Sequence, residues 1–242
     1  MYLDGEAYRR CTVYETSAYL AVIASNGRHQ ALPILTYLIF EIERLKPSET
    51  YSDGDALPPR PPPLSDAVLI YLLEILSSTH PSQSEFIPAF QDARSNQRIS
   101  PSAELFLHHL ATALRRMDTV LLRYLLHPNS PTVKPLFDTR RRPPNPNSLM
   151  SNAFDVLLGR IRSQARSSAW LCIRTAYREL SVDASGGWLV QSLLLRDPDP
   201  TSGADEWLQG RAKSGEAQEV SRDGGRGRVP GKWSLRRPIT GS

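Results

Sequence analysis

Arginine is the residue type whose placement in this chain most directly suggests chemistry. A guanidinium group can pair with phosphate oxygens through two parallel hydrogen bonds, so clustered arginines favour a polyanion. Three basic groups lie in the second half of the chain: the triplet Arg140, Arg141 and Arg142, the helical set Arg160, Arg162 and Arg166, and the C-terminal set Lys232, Arg236 and Arg237. These groups predict a surface for RNA, DNA or an acidic protein partner.

The helical set contains a like-charge pair. Arg162 and Arg166 are four residues apart, so on a helix they repel each other by roughly a few tenths of a kcal/mol. A phosphate or a carboxylate would relieve that repulsion. The alternative interpretation is a solvated helix face beside a basic loop, which is what a run of surface charge usually means.

The charges of the chain are segregated. The formal net charge is +4. Residues 41–66 contain six acidic and three basic residues, whereas residues 134–178 contain nine basic and two acidic residues. Such a field favours an anionic partner, although it also keeps a protein in solution. The second half of the chain is therefore the predicted working surface.

The cysteines and histidines do not have the spacing of metal ligands. Cys11 and Cys172 are far apart in the sequence, which excludes a dense disulfide framework and a zinc cluster made of cysteines. His108 and His109 are adjacent, so on a helix they point in different directions and do not chelate one ion together. We predict no metal site and no cofactor.

No motif of an enzyme is found along the chain. The nucleophile elbow, the phosphate loop and the dinucleotide fingerprint are all missing from the sequence. Glu41 and Glu43 are two residues apart on a predicted helix and face different directions, which argues against a carboxylate dyad. We predict no catalytic residues and a protein that is not an enzyme. An unrecognised hydrolase or transferase is the alternative, because catalytic groups need only meet in space.

The sequence also predicts the compartment. The apolar stretch over residues 32–40 is much shorter than the roughly 20 residues that cross a bilayer as a helix. Acidic residues stand among the first ten, where a signal peptide would have an apolar core. We expect a soluble intracellular protein without a membrane partner.

Apolar residues recur at helical spacing along most of the chain. Helices are predicted over Ala7–Ala24, over Arg28–Leu45 and from Ser65 to Leu76. A further helix begins at Pro101 and is followed by Thr119–Leu126, which is apolar on nearly all sides and predicts a buried helix. These two form a predicted helical hairpin.

A long helical pattern follows the second proline-rich segment. It begins at Ser148, continues through Trp170, Tyr177 and Leu180 as core-facing positions, and is predicted to stop at Gly186-Gly187. Trp188–Leu195 is then predicted to be a short apolar helix.

Strand patterns are predicted only near the C-terminus. Gln218–Val220 and Lys232–Leu235 are two short candidate strands around a glycine-rich turn, and Ala204–Gln209 is a preceding helix. The predicted fold class is therefore mainly α, a helical-repeat array of antiparallel helix pairs ending in a winged-helix-like segment. The predicted domains are residues 1–200, with proline-rich insertions at 47–63 and 128–147, and residues 201–242, with a flexible basic tail.

The order of these segments is similar to that of a known family. The segments that carry the likeness are Arg10–Ala18, Ile34–Leu45, Ser65–Leu76, Ala103–Leu126, Ala169–Arg178, Trp188-Leu189, Leu193–Leu195, Asp205–Leu208 and Lys232–Leu235. In this order the chain resembles the SAC/GANP family of messenger-RNA export scaffolds and smaller relatives. That family is close to the PCI subunits of the proteasome lid and of translation initiation factor three. The family's upstream Cys-Pro signature is missing, so the resemblance implies a short or N-terminally truncated member.

The resemblance implies a function and a location. It implies a non-catalytic scaffold or adaptor in messenger-RNA processing or export, located in the nucleus and also expected in the cytoplasm. Its partners would be subunits of a larger complex, with RNA or DNA bound through the basic second half. The alternative is a PCI-type assembly subunit of a complex like the proteasome lid or a translation initiation factor.

Overall fold

The computed structural model describes residues 5–24, 31–44, 64–127, 130, 133, 136, 149–195, 200–221 and 228–237. Over these ranges the chain is mainly helical, with a small antiparallel sheet of three strands. The prediction of a mainly α fold is confirmed. The insertion at 47–63, nearly all of the insertion at 128–147 and the triplet Arg140–Arg142 fall outside the described residues.

Nine helices and three strands are described. They are α1 (Gly5–Ala24), α2 (Ala31–Arg44), α3 (Leu64–Thr79), α4 (Phe86–Ser95), α5 (Pro101–Arg116), α6 (Thr119–Leu125), α7 (Leu149–Ala176), β1 (Glu179–Ser181), α8 (Val182–Ser192), α9 (Pro200–Lys213), β2 (Ala217–Ser221) and β3 (Arg228–Leu235).

The chain divides into two compact units. The first contains Met1–Thr112 and Pro128–Ile161, and the second contains Ala113–His127 and Arg162–Ser242. This division differs from the boundary expected at residue 200. The physical reason is that Trp170, Leu180 and Leu189 share one apolar core with Leu208 and Trp233, so the C-terminal sheet cannot be separated from the helices that precede it.

The first unit is built around α3. Helix α1 packs on α2, α2 packs on α3, and α3 contacts α4. The apolar side chains of α3 from Ala67 to Leu76 are buried on all sides of the helix, as expected for a helix that is apolar all round. Phe106 of α5 adds to this core with its ring centroid 5.9 Å from that of Phe154.

The second unit places helices against the small sheet. Strand β3 lies between β1 and β2 and pairs antiparallel with both. Trp233 is paired with Leu180 of β1, and Leu235 with Ala217 of β2. These four side chains are buried while Ser234 between them is exposed, because successive side chains of a strand point to opposite faces.

The C-terminal predictions are confirmed in part. Strands β2 and β3 contain both predicted strand segments. Strand β1 was missed: the long helix ends at Ala176 rather than near Gly186, and Leu180 lies in a strand. Gly186-Gly187 does not stop a helix but lies inside α8, which shows that packing outweighs the low helix propensity of glycine here.

Helix α6 differs from the buried helix that was expected. Leu122 and Leu125 are buried, but Val120 is 72% exposed and Tyr124 is half-exposed. The helix is only seven residues long and packs through one face, so its opposite apolar face remains in water.

Candidate interaction surfaces

Arg160 is an internal residue of the first unit. Its Nη1 lies 3.1 Å from Oε2 of Glu74, and its Nη2 donates to the carbonyl oxygen of Val22 at 2.6 Å. The Glu74 side chain has no exposed surface, and that of Arg160 is 17% exposed. The guanidinium therefore joins α1, α3 and α7, and the buried carboxylate of Glu74 is stabilised by the positive charge.

Arg162 and Arg166 satisfy backbone carbonyls at the ends of two other helices. Arg162 donates through Nη2 to the carbonyl oxygen of Leu126, the C-terminal cap of α6. Arg166 donates through Nε and Nη2 to the carbonyl oxygens of Leu193 and Leu194 at 2.9 and 3.2 Å, just after α8. The last carbonyls of a helix have no partner within it and carry partial negative charge, so both contacts are favourable.

The expectation that these three arginines form a solvated helix face is wrong. All three are only partly exposed, and their guanidinium groups bind protein atoms. The repulsion predicted between Arg162 and Arg166 is offset by the backbone carbonyls that each one binds. Replacing the set by glutamate would disturb the cores of both units, so a loss of binding in such a variant would say nothing about nucleic acid.

A second, partly buried set of polar groups surrounds Glu216, between α9 and β2. Its carboxylate accepts hydrogen bonds from Nε1 of Trp170 at 3.1 Å, from Nη1 of Arg174 at 2.8 Å and from Nη1 of Arg211 at 3.0 Å. The guanidinium of Arg211 also lies 4.1 Å from the centroid of the Trp207 ring. These contacts tie α7, α9 and the sheet together.

Glu216 should make the stability of the second unit depend on pH. Burial raises the pKa of Glu216, but the hydrogen bonds from Trp170 and Arg211 and the charges of Arg211 and Arg174 outweigh it, so the pKa is lowered overall. A lowered pKa contributes stability above the ordinary glutamate value, and that contribution is lost as the pH falls through the folded-state pKa. Glu216→Gln should lower the free energy of unfolding by roughly 1–3 kcal/mol near neutral pH.

Urea unfolding of the natural protein and of Glu216→Gln at about pH 7 and about pH 3.5 checks this prediction. The difference between the two proteins should shrink at acid pH, because protons then bind the Glu216 carboxylate of the unfolded chain more readily than that of the folded chain and so favour unfolding of the natural protein. A difference that stays constant between the two pH values would contradict the role given to the charge.

An exposed aromatic pair lies in the second unit. The ring centroids of Tyr177 and Trp188 are 5.6 Å apart in an edge-to-face arrangement. Tyr177 is 47% exposed and Trp188 is 44% exposed. Tyr177 follows α7 directly, and its amide still donates to the carbonyl oxygen of Ile173. The expectation that Tyr177 faces the core is therefore wrong.

Arg178, which comes directly after Tyr177, is an exposed arginine beside this pair. The carbonyl oxygen of Arg178 accepts a hydrogen bond from the amide of Leu235 at 2.7 Å, which places Arg178 beside the end of β3 and the exposed residues Arg236 and Arg237. Within the described ranges, the guanidinium groups of these three arginines form no hydrogen bond or ion pair. Lys232 differs, since its Nζ lies 2.9 Å from Oε2 of Glu179.

The C-terminal basic set is thus divided by the structure. Arg236 and Arg237 are exposed and their guanidinium groups have no partner among the described residues, whereas Lys232 is paired and half-buried. Sequence reasoning did not single out Arg178, Tyr177 and Trp188 as candidate binding residues. The end of α7 at Ala176 brings them together, and no periodic pattern predicted that end.

The remaining chemical predictions concern metals and membranes. Over the described part of the chain, no group of three or more histidine, cysteine or acidic residues could hold a metal ion. Cys172 is a free thiol on the surface. None of the helices within those ranges combines the length and the hydropathy that crossing a bilayer would require.

Comparisons of the chain with protein-family profiles, with curated proteins and with solved structures gave no match.

Proposed function

We propose that this protein is a non-catalytic scaffold or adaptor subunit of the SAC/GANP type, with a PCI-like helical domain and a winged-helix-like end. In this proposal it binds protein partners, and RNA as a further ligand, in nuclear messenger-RNA processing or export. The proposal rests on the sequence resemblance and on the arrangement of helices and strands in the second unit.

The order of helices and strands in the second unit is the main support for the proposal. The second unit has the order helix α7, strand β1, helices α8 and α9, and strands β2 and β3, with β3 central in the antiparallel sheet. This arrangement resembles the element order and strand order of a winged helix. It supports the winged-helix-like end and extends it back to α7, well before residue 201.

Exposed apolar side chains of the first unit support a protein partner. Val13 and Leu20 stand seven residues apart on one face of α1 and are 62% and 48% exposed. Tyr37 of α2 is also exposed, with its ring centroid 5.0 Å from that of Tyr14. Helical arrays leave an unpaired edge of this kind, and grouped exposed apolar residues commonly mark interaction sites.

The exposed face of α9 favours the second candidate, a PCI-type assembly subunit. In helix-turn-helix proteins the second helix of the pair lies in the major groove of DNA, and α9 follows α8 in that position. Here the exposed side chains of α9 include Glu206, Gln209 and Lys213, which carry no excess of positive charge. A face of this composition is better suited to another protein than to a phosphate backbone.

Affinity purification with and without nuclease tests the proposed function. The protein carries a tag, is expressed in cells of its own source, and is purified in two portions, one of which is treated with nuclease. A scaffold should retain a defined set of proteins in near-stoichiometric amounts in both portions. Recovery of the protein alone would contradict the proposal.

The identity of the retained proteins separates the two candidates. Export and transcription factors would support the SAC/GANP scaffold, whereas lid or initiation-factor subunits without RNA would support the assembly subunit. A double variant, Val13→Ser with Leu20→Ser, should lose partners if the exposed face of α1 binds them. Val120→Ser removes an exposed apolar side chain from α6 and serves as the matched control.

A further inference from the structure

The aromatic pair has the geometry of a stacking surface. In an edge-to-face pair one ring meets the other with its edge, so its own faces are not covered by its partner. Tyr177 and Trp188 are each nearly half exposed. Each ring therefore keeps at least one face clear of its partner, where a flat apolar group can stack, and an unpaired nucleobase is such a group.

Three exposed arginines, Arg178, Arg236 and Arg237, lie at the same end of the sheet as the rings. The backbone positions of Arg178 and Arg236 are fixed, because Arg178 accepts a hydrogen bond from Leu235 and Arg236 accepts one from Nε of Arg174 at 2.8 Å. Arg236 also donates through its amide to Glu216. Their guanidinium groups, and that of Arg237, remain without a protein partner among the described residues.

Two described acidic residues at this end of the sheet, Glu179 and Glu216, have other cationic partners. Glu179 is paired with Lys232. Glu216 is occupied by Trp170, Arg174 and Arg211. We name Tyr177, Trp188, Arg178, Arg236 and Arg237 the aromatic–arginine cluster. Among the described residues, its three arginines have no acidic partner.

We propose that the aromatic–arginine cluster binds single-stranded nucleic acid, with unpaired bases stacked on Tyr177 and Trp188 and phosphates bound by the arginines. The inference rests on the proposed function, because it assigns the RNA ligand to a specific surface of the same C-terminal unit. It replaces the helical set Arg160, Arg162 and Arg166 as the candidate site.

The combination of rings and cations selects a single strand over a duplex. Bases in a duplex are stacked on each other and cannot reach an aromatic side chain, whereas every unpaired base has a free face. Stacking and phosphate contacts do not read base edges. Binding should therefore depend little on sequence and strongly on salt concentration.

Fluorescence anisotropy with labelled oligonucleotides tests the proposal on the full chain. The probes are a single-stranded RNA of mixed sequence with about 12 nucleotides, the same RNA as a duplex, and a polyglutamate peptide. Trp188→Ala should weaken single-strand binding by roughly 5- to 100-fold, and Trp188→Phe should weaken it much less because a ring remains.

A second variant and its control test how much the arginine charges contribute to RNA binding. Arg236→Gln with Arg237→Gln should weaken binding and reduce the salt dependence by roughly 0.7 per lost phosphate contact. Arg115→Gln with Arg116→Gln removes two exposed arginines of α5 that have no partner among the described residues and lie outside the cluster, and it should leave the affinity unchanged. Circular dichroism confirms that each variant is folded. If Trp188→Ala is not folded, the affinities of Trp188→Phe and of the Arg236/Arg237 variant for the single-stranded RNA test the proposal instead.

Three outcomes would overturn the proposal: equal affinity for duplex and single strand, equal losses in the Arg115/Arg116 and Arg236/Arg237 variants, or tighter binding of polyglutamate that is insensitive to Trp188→Ala. The last outcome would assign the surface to an acidic protein segment.

If the cluster does not bind single-stranded RNA, the scaffold function still stands, provided that the natural protein retains stoichiometric partners after nuclease treatment. Loss of those partners, with oligonucleotide binding preserved, would contradict the scaffold function alone.

Discussion

Replacing Arg160 by methionine is expected to lower the free energy of unfolding of the first unit by about 3–5 kcal/mol. The Glu74 carboxylate has no exposed surface and lies 3.1 Å from the Arg160 guanidinium. Without that positive charge a carboxylate is left buried against α1, α3 and α7, where desolvation strongly disfavours it. Urea unfolding followed by circular dichroism measures the change.

The double variant Arg160→Met with Glu74→Leu separates charge burial from packing. It should recover most of the loss, because apolar residues of similar volume can replace a buried ion pair at little cost. The surface pair Arg94–Glu104, with N and O atoms 2.8 Å apart and an exposed arginine, is the matched control. Arg94→Met should change stability by less than about 1 kcal/mol. If Arg160→Met and Arg94→Met lower the free energy of unfolding equally, the buried charge of Glu74 is not the cause of the loss.

Trp233→Ala is the second change with a large expected effect, about 3–5 kcal/mol of destabilisation of the second unit. The indole is buried on the central strand, opposite Leu180 of β1 and Glu219 of β2. Its Nε1 donates to Oδ1 of Asp205 on α9 at 3.2 Å. Truncation therefore leaves a cavity and removes a contact between the sheet and α9.

Trp233→Phe distinguishes the two contributions. It keeps most of the apolar contact but removes the hydrogen bond to Asp205, so the expected loss is only about 1–2 kcal/mol. Thermal and urea unfolding of both variants provide the measurement. A Trp233→Ala variant as stable as Trp233→Phe would show that the cavity has collapsed without cost and that the indole is not the anchor of the sheet.

Helix content was predictable because it depends on local apolar spacing. The first three helices and the start of α5 at Pro101 follow from such spacing and from a proline in the first turn. Strands β2 and β3 were also predictable, since a turn-rich segment separates two short alternating patterns. These signals need no knowledge of distant residues.

The contacts that the helical arginines make could not be predicted from local spacing. Arg160 meets Glu74 from 86 positions away and Val22 from 138 positions away. No local pattern encodes such a meeting, and an arginine beside apolar helix positions has the same sequence appearance whether it faces water or a buried carboxylate. The arginines are clustered as the sequence indicates, but the guanidinium groups of Arg160, Arg162 and Arg166 bind protein atoms.

Strand β1 and the aromatic–arginine cluster were missed for a related reason. Three residues, Glu179–Ser181, carry too little pattern to distinguish a strand from the end of a helix. Their strand conformation is determined by pairing with Ser234, Trp233 and Lys232 of β3. Once the helix stops before that strand, Tyr177 is exposed while Trp170 stays buried.

Helix α8 contains Gly186-Gly187 just before Trp188. Each glycine disfavours a helix by about 1 kcal/mol relative to alanine, so α8 depends on the burial of Leu189, Val190 and Leu193. Trp188 is consequently presented only while that core is intact. Any ligand of this ring binds the folded unit and not the unfolded chain, so occupancy and folding are thermodynamically linked. At a hundred times its Kd, such a ligand would add about 2.7 kcal/mol to the stability of the unit.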